Sequence, residues 1–376
     1  MEQFVPPWWL RNGWSMTLYA AWRLEQTQLN GDRLSKRVFD HVFHGEGQVP
    51  LYGQVTLPSG LSDQGETRGR NDSWNGAESS SEVPQSSGTI IATYGITGSL
   101  DQQRSLSLLR QKALKRGLSV VLFDWRAHGK SVELSSTLTS DGLYEGKDFI
   151  HLAAQAKALG CPPPFWFVGF SLGGQLALWA MQADSLQLAD TLGLSETDIG
   201  GTVAVCPNLD SNRSLDFLVR SPLGRWLEQS ITAELKRLAQ RLYHHHPDAF
   251  DPKAIARANS ILQFDQELVI PRLGFETVAE YYTASSPLPW LHSVKKPTLV
   301  LYAEDDPMFH PAIVDDLKQI QVRIRQHSSP LDIQLTSYGG HVGYFGNQSD
   351  LQNGTDADPW WAWNRVVDWI AQSCLR

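Results

Sequence analysis

Phe165-Trp166-Phe167-Val168-Gly169-Phe170-Ser171-Leu172-Gly173-Gly174 decides how the rest of this chain is read. An apolar run of strand length ends in a serine flanked by glycines, and an apolar helical pattern starting near Gly174 follows without a spacer. A strand that reverses this sharply into a helix crowds its own turn and forces the central residue into a strained backbone region, which bulky neighbours would not tolerate. The outcome is a serine hydroxyl standing clear of a sheet end, placed to act as a nucleophile once a base and an acid reach it. The rest of the chain must then supply a parallel sheet, a histidine and a carboxylate.

Upstream, Thr89-Ile90-Ile91-Ala92-Thr93-Tyr94 reads as a buried strand that ends in Gly95-Ile96-Thr97-Gly98-Ser99. A glycine-rich turn there can aim a backbone N–H at a developing oxyanion, with Ile96 as one donor and the amide of Leu172, just after the serine, as the other. The alternative is an ordinary strand-to-helix turn. A basic helix (Leu106 to Arg116) and a second strand (Leu118 to Phe123) follow, then Asp124-Trp125-Arg126-Ala127-His128-Gly129-Lys130-Ser131. Two strand-helix-strand units in a row imply a parallel sheet with right-handed crossovers. His128 is a second candidate base, but it precedes the serine; in this arrangement the base comes last, so His128 reads as structural. A helix from about Gly146 to Leu159, stopped by Pro162-Pro163-Pro164, leads into the serine strand.

Downstream, one more strand (Gly201 to Cys206) precedes a break in the rhythm. From Asn208 to about Pro289 helical patterns take over: Leu215 to Val219, Trp226 to Tyr243, Pro252 to Asn259 and Val278 to Tyr282. An insertion at this point lies over the carboxyl ends of the strands, where open α/β sheets bind ligands, so it reads as a cap that shapes a pocket. His244-His245-His246 falls inside it; adjacent histidines at a helix end cannot share a face, and a solvated surface is expected rather than a metal site. The sheet resumes with Pro297 to Ala303 and runs into Glu304-Asp305-Asp306-Pro307. A last strand, Leu331 to Ser337, leads into Tyr338-Gly339-Gly340-His341-Val342-Gly343-Tyr344-Phe345. A carboxylate at the end of the first of these strands can orient a histidine at the end of the second. Asp306 is the first choice and Asp305 the second, with His341 as base. The order Ser171, Asp306, His341 is the chain order of such triads on α/β sheets.

With 376 residues and a formal net charge of -8, the chain has room for one large α/β domain with an insertion and shows no basic footprint for nucleic acid. Its three cysteines, Cys161, Cys206 and Cys374, are far apart and odd in number, which fits a reducing compartment. The N-terminus reads as neither signal peptide nor transmembrane span, so a cytoplasmic location is expected. Its aromatics (Phe4, Trp8, Trp9, Trp14, Tyr19, Trp22) either pack against the body of the protein or contact a lipid surface peripherally. Residues 37 to 57 read as two strands, Val38 to Phe43 and Leu51 to Leu57, around the turn Gly45-Glu46-Gly47. Residues 58 to 88 are polar and read as a flexible insertion. The tail Pro359 to Leu375 has the apolar spacing of an amphipathic helix. The expected division is an aromatic arm over 1–36, a core over 37–207, a helical cap over 208–289 and the rest of the core over 290–376.

These segments resemble the YheT-like branch of the α/β-hydrolases over nearly the whole chain. The resemblance is carried by Pro7-Trp8-Trp9-Leu10-Arg11-Asn12-Gly13 with Thr17, by the turns at Gly95 to Ser99 and Val168 to Gly174, by Asp305-Asp306-Pro307 and by Gly339 to Gly343. Phe264-Asp265, Gly274-Phe275, Tyr281-Tyr282 and Ser285-Ser286 in the cap are similar too. Two features depart from that branch: Tyr94-Gly95 stands where it usually has His-Gly, and the 58 to 88 insertion is peculiar to this chain. The resemblance implies an α/β-hydrolase fold and the triad Ser171, Asp306 and His341. The expected activity is hydrolysis of small-molecule acyl esters through an acyl-enzyme, lipid-like or with shorter acyl chains. No cofactor is expected, because serine acylation needs neither metal nor nucleotide. Two alternatives stand beside this: acyl transfer to an alcohol, for which His310 and Asp315 have an H-x4-D spacing, and a non-catalytic binding protein that keeps the fold.

Overall fold

The computed structural model describes residues 4–27, 35–58, 88–326, 328–347 and 358–374. Apart from its two end residues, the polar insertion read at 58 to 88 lies outside them, as does Leu375 at the end of the tail.

Among the described residues eight strands form one sheet: β1 (Ser35–His44), β2 (Pro50–Pro58), β3 (Thr89–Thr93), β4 (Ser119–Phe123), β5 (Phe165–Phe170), β6 (Ile199–Val205), β7 (Thr298–Ala303) and β8 (Leu331–Thr336). Their order is β1-β2-β4-β3-β5-β6-β7-β8. β1 pairs antiparallel with β2, and β2 antiparallel with β4; every other neighbouring pair is parallel. This is an α/β fold with a mostly parallel central sheet flanked by helices. β3, β4 and β7 are buried at every residue, which explains why they read as unbroken apolar runs rather than alternating ones. The chain leaves β3 for β4 on one side and returns to β5 on the other. The carboxyl ends of β3 and β5 therefore flank the crevice where the winding reverses, the standard ligand position in open sheets.

Helices Arg104–Lys115, Glu145–Ala158, Leu172–Trp179 and Ala183–Thr191 connect the central strands, and Trp361–Ser373 packs against Arg104–Lys115. The helix after the serine begins at Leu172, two residues before the apolar pattern suggests, because the turn is completed within Ser171 itself. Between β6 and β7 lie the helices Ser211–Leu218, Pro222–His245, Pro252–Arg257 and Val278–Ser285. Short helical pieces also occur at Ile261–Phe264 and Ile270–Leu273, joined by a π-helical turn at Asp265–Val269. The sequence pattern does not mark them. Pro271 breaks the amide ladder, and left-handed Gly274 (φ 80°) ends the run before helical periodicity accumulates.

These inserted helices have a hydrophobic core of their own, built with Ala127, Val132 and Leu138 from the main body. Ile96 and Met308 touch both this core and the one around the sheet. The N-terminal arm lies on the body: Phe4, Leu10, Met16 and Ala20 are buried, and Phe4 packs on Tyr344 and Trp361. Its helix, Gly13–Glu25, is capped by the side chain of Asn12. Trp8, Trp9, Leu18 and Trp22 stay exposed. Among the described residues no helix is long and apolar enough to cross a membrane.

Candidate active site

Ser171 follows β5 directly and adopts φ 54°, ψ -128°, a conformation that non-glycine residues rarely hold. The turn closes only because its neighbours are small. A Cβ on Gly173 would come within 2.3 Å of the carbonyl oxygen of Tyr94, and one on Gly95 within 2.9 Å of the Cβ of Ser171. The loops after β3 and β5 thus touch at the serine.

His341, on the loop after β8, brings Nε2 to 2.9 Å from the Ser171 hydroxyl. Its Nδ1 lies 2.8 Å from Oδ2 of Asp306, on the loop after β7. The other oxygen of Asp306 accepts the amide of Met308 at 2.9 Å, which fixes the carboxylate plane. Of the two adjacent aspartates, Asp306 meets the ring and Asp305 meets the backbone: Asp305 Oδ1 accepts the amide of Gly340 at 2.8 Å. Burial raises the Asp305 pKa above its ordinary value, with the Gly340 amide working against that rise. Phe309 stands edge-on to the imidazole, with ring centroids 5.0 Å apart.

The N-terminal arm takes part in this arrangement, although no pattern along the chain ties it to the histidine. The Thr17 hydroxyl accepts the amide of His341 at 2.8 Å and donates to the carbonyl of Gly13 at 2.7 Å. Gly13 sits so close to the acid loop that a Cβ there would lie 1.8 Å from the carbonyl oxygen of Asp305. The only trace of this in the sequence is the resemblance of the Pro7 to Gly13 segment, with Thr17, to its family.

The turn carrying Ile96 is strapped from beneath. Leu100 donates its amide to Asp124 Oδ1 at 2.8 Å, and Tyr94 its hydroxyl to the same oxygen at 2.6 Å. His128 stacks on Trp125 with centroids 3.6 Å apart, and its Nε2 accepts the Thr97 amide at 3.3 Å. Nδ1 therefore carries the proton and donates to the carbonyl of Arg126 at 2.9 Å. Burial pushes the His128 pKa down to about 3, so the ring stays neutral. The amides of Ile96 and Leu172 donate to no other described residue.

Two cavities meet at Ser171. One lies beneath the inserted helices, with walls that include Leu215, Leu235, Leu238 and Phe264. The other opens between the N-terminal helix and the helix Pro222–His245. Asp141 and Asp265 border the first and are buried. Burial and the nearby Glu145 raise the Asp141 pKa to about 7, and burial with the charge of Asp141 holds Asp265 well above the carboxylate range.

His310 stands apart from these groups. Its Nδ1 accepts the amide of Ala312 at the start of a helix, and its ring lies against Phe217. In the histidine run, His246 donates to the carbonyl of Val132 at 2.8 Å. Among the described residues no group of three or more His, Cys, Asp or Glu could hold a metal ion.

A strained serine at a strand-to-helix turn on a mostly parallel sheet, with a histidine and an aspartate delivered by the two last strands, defines a class, and sequence comparison reaches the same one. The profile of the Alpha/beta hydrolase family matches residues 98–370, and the chain belongs to that family. Within it the chain is YheT-like. It is 48% identical to slr0264 of Synechocystis sp., provisionally named an esterase, over 382 residues covering 99% of this chain and 95% of that one. YheT of Escherichia coli, also provisionally named an esterase, is 25% identical over 76% of this chain and 78% of its own. A Saccharomyces cerevisiae monoacylglycerol lipase is 24% identical over 69% of this chain and 55% of its own.

Proposed function

We propose that the protein is a carboxylic ester hydrolase that works through Ser171, His341 and Asp306. The observation that carries this reading is the unbroken hydrogen-bond succession from the Ser171 hydroxyl through both imidazole nitrogens to Asp306. Ser171 Oγ attacks the ester carbonyl carbon while its proton passes to His341 Nε2, and Asp306 stabilises the resulting imidazolium. The amides of Ile96 and Leu172 hold the oxyanion. Collapse breaks the bond from carbonyl carbon to alcohol oxygen, and the proton moves from Nε2 to the departing alcohol. Water then repeats the sequence on the acyl-enzyme and releases the acid.

The helices over 208–289 act as the cap of the pocket, and their apolar lining fits lipid-like acyl groups. Names of relatives, an esterase assignment and a monoacylglycerol lipase, support ester substrates. The exposed indoles Trp8, Trp9 and Trp22 fit peripheral contact with a lipid surface, which vesicle co-sedimentation tests directly.

The decisive experiment is an acyl-ester panel run on wild type and Ser171→Ala, with fluorophosphonate labelling. Hydrolysis and labelling in the wild type alone are expected. Equal turnover by both proteins would refute the assignment, and a new ester formed in preference to free acid when alcohol is added would make the enzyme a transferase.

A further inference from the structure

We infer that the two cavities at Ser171 divide the substrate between them: the acyl group lies beneath the cap, and the leaving alcohol lies between the N-terminal helix and helix Pro222–His245. The preferred ester is then apolar on both sides of its scissile bond. This assignment rests on the hydrolase reading above.

The two cavities share Ser171 and are bordered in common by Ile96, Ile231 and Met308. Otherwise their walls differ, and the difference that matters is His341, which lines the second and not the first. Chemistry then assigns the occupants. The proton removed from Ser171 must be handed by His341 Nε2 to the oxygen of the departing alcohol, so the alcohol must lie on the side this nitrogen faces. After it leaves, water must approach the acyl carbon from the same side to be activated by the same nitrogen. The acyl group remains bonded to Ser171 throughout and must leave that side open, so it occupies the cavity that His341 does not line.

The walls of the alcohol cavity set its chemistry. Ala21 and Leu24 of the N-terminal helix face Leu227 of the cap helix, with Phe170 and Trp363 also contributing, and Thr17 among its few polar groups is already committed to the His341 amide. Such a surface favours a hydrocarbon or aromatic alcohol over methanol or a small polyol. It also gives the N-terminal helix two duties at one site: it braces the base loop through Thr17 and walls the alcohol through Ala21 and Leu24.

The test uses the full chain and octanoate esters of methanol, butanol and octanol. In the wild type, kcat/KM should rise about threefold per added methylene of the alcohol over the first few carbons. Ala21→Trp fills the cavity from an exposed helix position and should lower the octyl-to-methyl ratio by at least about tenfold. Leu227→Trp, on the opposite wall, should do the same. Leu215→Trp narrows the other cavity and should instead discriminate between octyl octanoate and octyl acetate. A wild-type kcat/KM indifferent to alcohol length, or an octyl-to-methyl ratio unchanged in both wall variants while fluorophosphonate still labels Ser171, overturns the division of the substrate. Absence of both labelling and turnover in the wild type would overturn the hydrolase reading itself, and this inference with it.

Discussion

The hydroxyl of Thr17 accepts the backbone amide of His341 at 2.8 Å, across 324 residues of chain. The N-terminal arm is therefore part of the mount of His341: it packs against the loops carrying Asp305 and His341, and a Cβ on Gly340 would meet the Gly13 carbonyl oxygen at 2.5 Å.

Removing that acceptor should be felt at the serine. Thr17→Val keeps the shape and deletes the oxygen, leaving the His341 amide without its acceptor, at a cost of about 1–3 kcal/mol. Stopped-flow or steady-state kinetics should show kcat lowered about tenfold, as expected if about 1.4 kcal/mol of that cost falls on the transition state. Fluorophosphonate labelling should slow in parallel, and Thr17→Ser should restore both. A kcat unchanged in Thr17→Val would reduce the contact to packing.

The adjacent aspartates should separate cleanly. Asp306→Asn leaves the ring without an ionised partner and should lower kcat by about 10⁴. Asp305→Asn retains an oxygen for the Gly340 amide and relieves a buried carboxyl whose second oxygen has no hydrogen-bond partner among the described residues, so activity should stay within a few-fold while thermal stability at neutral pH rises. Asp305→Ala, which removes the acceptor, should lose both. Equal losses in the two asparagine variants would contradict this division.

Stability should fall as pH rises, through Asp141. Its carboxyl ionises at about 3.9 in the unfolded chain, whereas burial and the charge of Glu145 hold it protonated to about 7 in the fold. Between those values the folded state binds more protons than the unfolded one, so stability declines with increasing pH over this window and the full penalty stands above it. Asp265 and the hydroxyls of Tyr281 and Tyr282 face the same place, with no ion pair from Asp141 or Asp265 among the described residues. Asp141→Asn should raise Tm by several degrees at pH 8 and scarcely at pH 4, measured by calorimetry. An identical pH dependence in wild type and variant would show that the carboxyl is not the group responsible.

His128 should behave in the opposite sense. A histidine buried neutral, with its pKa pushed down to about 3, loses stability as pH falls below the unfolded value of about 6.5, because only the unfolded chain takes up the proton. His128→Phe keeps a ring on Trp125 and should flatten the acid side of the Tm curve. It also deletes the acceptor of the Thr97 amide, so kcat and the affinity for a boronic acid transition-state analogue should drop together by about tenfold, with KM little changed. A change in KM with kcat intact would separate His128 from the proposed oxyanion function of the Ile96 turn.

The fold and the chemical groups were legible because each has a local signature. Buried parallel strands read as apolar runs, the serine turn demands glycines within two residues, and the order of serine, aspartate and histidine follows from which strand ends meet at the rim. From the sequence, Asp306 stands ahead of Asp305 on family resemblance and not on spacing, since neighbouring residues of one loop lie almost equally far from His341 along the chain; the direction of each side chain is what separates ring from backbone. Nor could periodicity find the helical pieces around Asp265, where a π turn and Pro271 interrupt the repeat.

What the chain order alone determined is the set of parts, because strand, turn and serine are written by residues a few positions apart. Tertiary structure alone decided what those parts touch: Thr17 on His341, His128 beneath the Ile96 turn, and two cavities meeting at Ser171. Those contacts join residues separated by tens to hundreds of positions, and no pattern along the polypeptide encodes a distance in space.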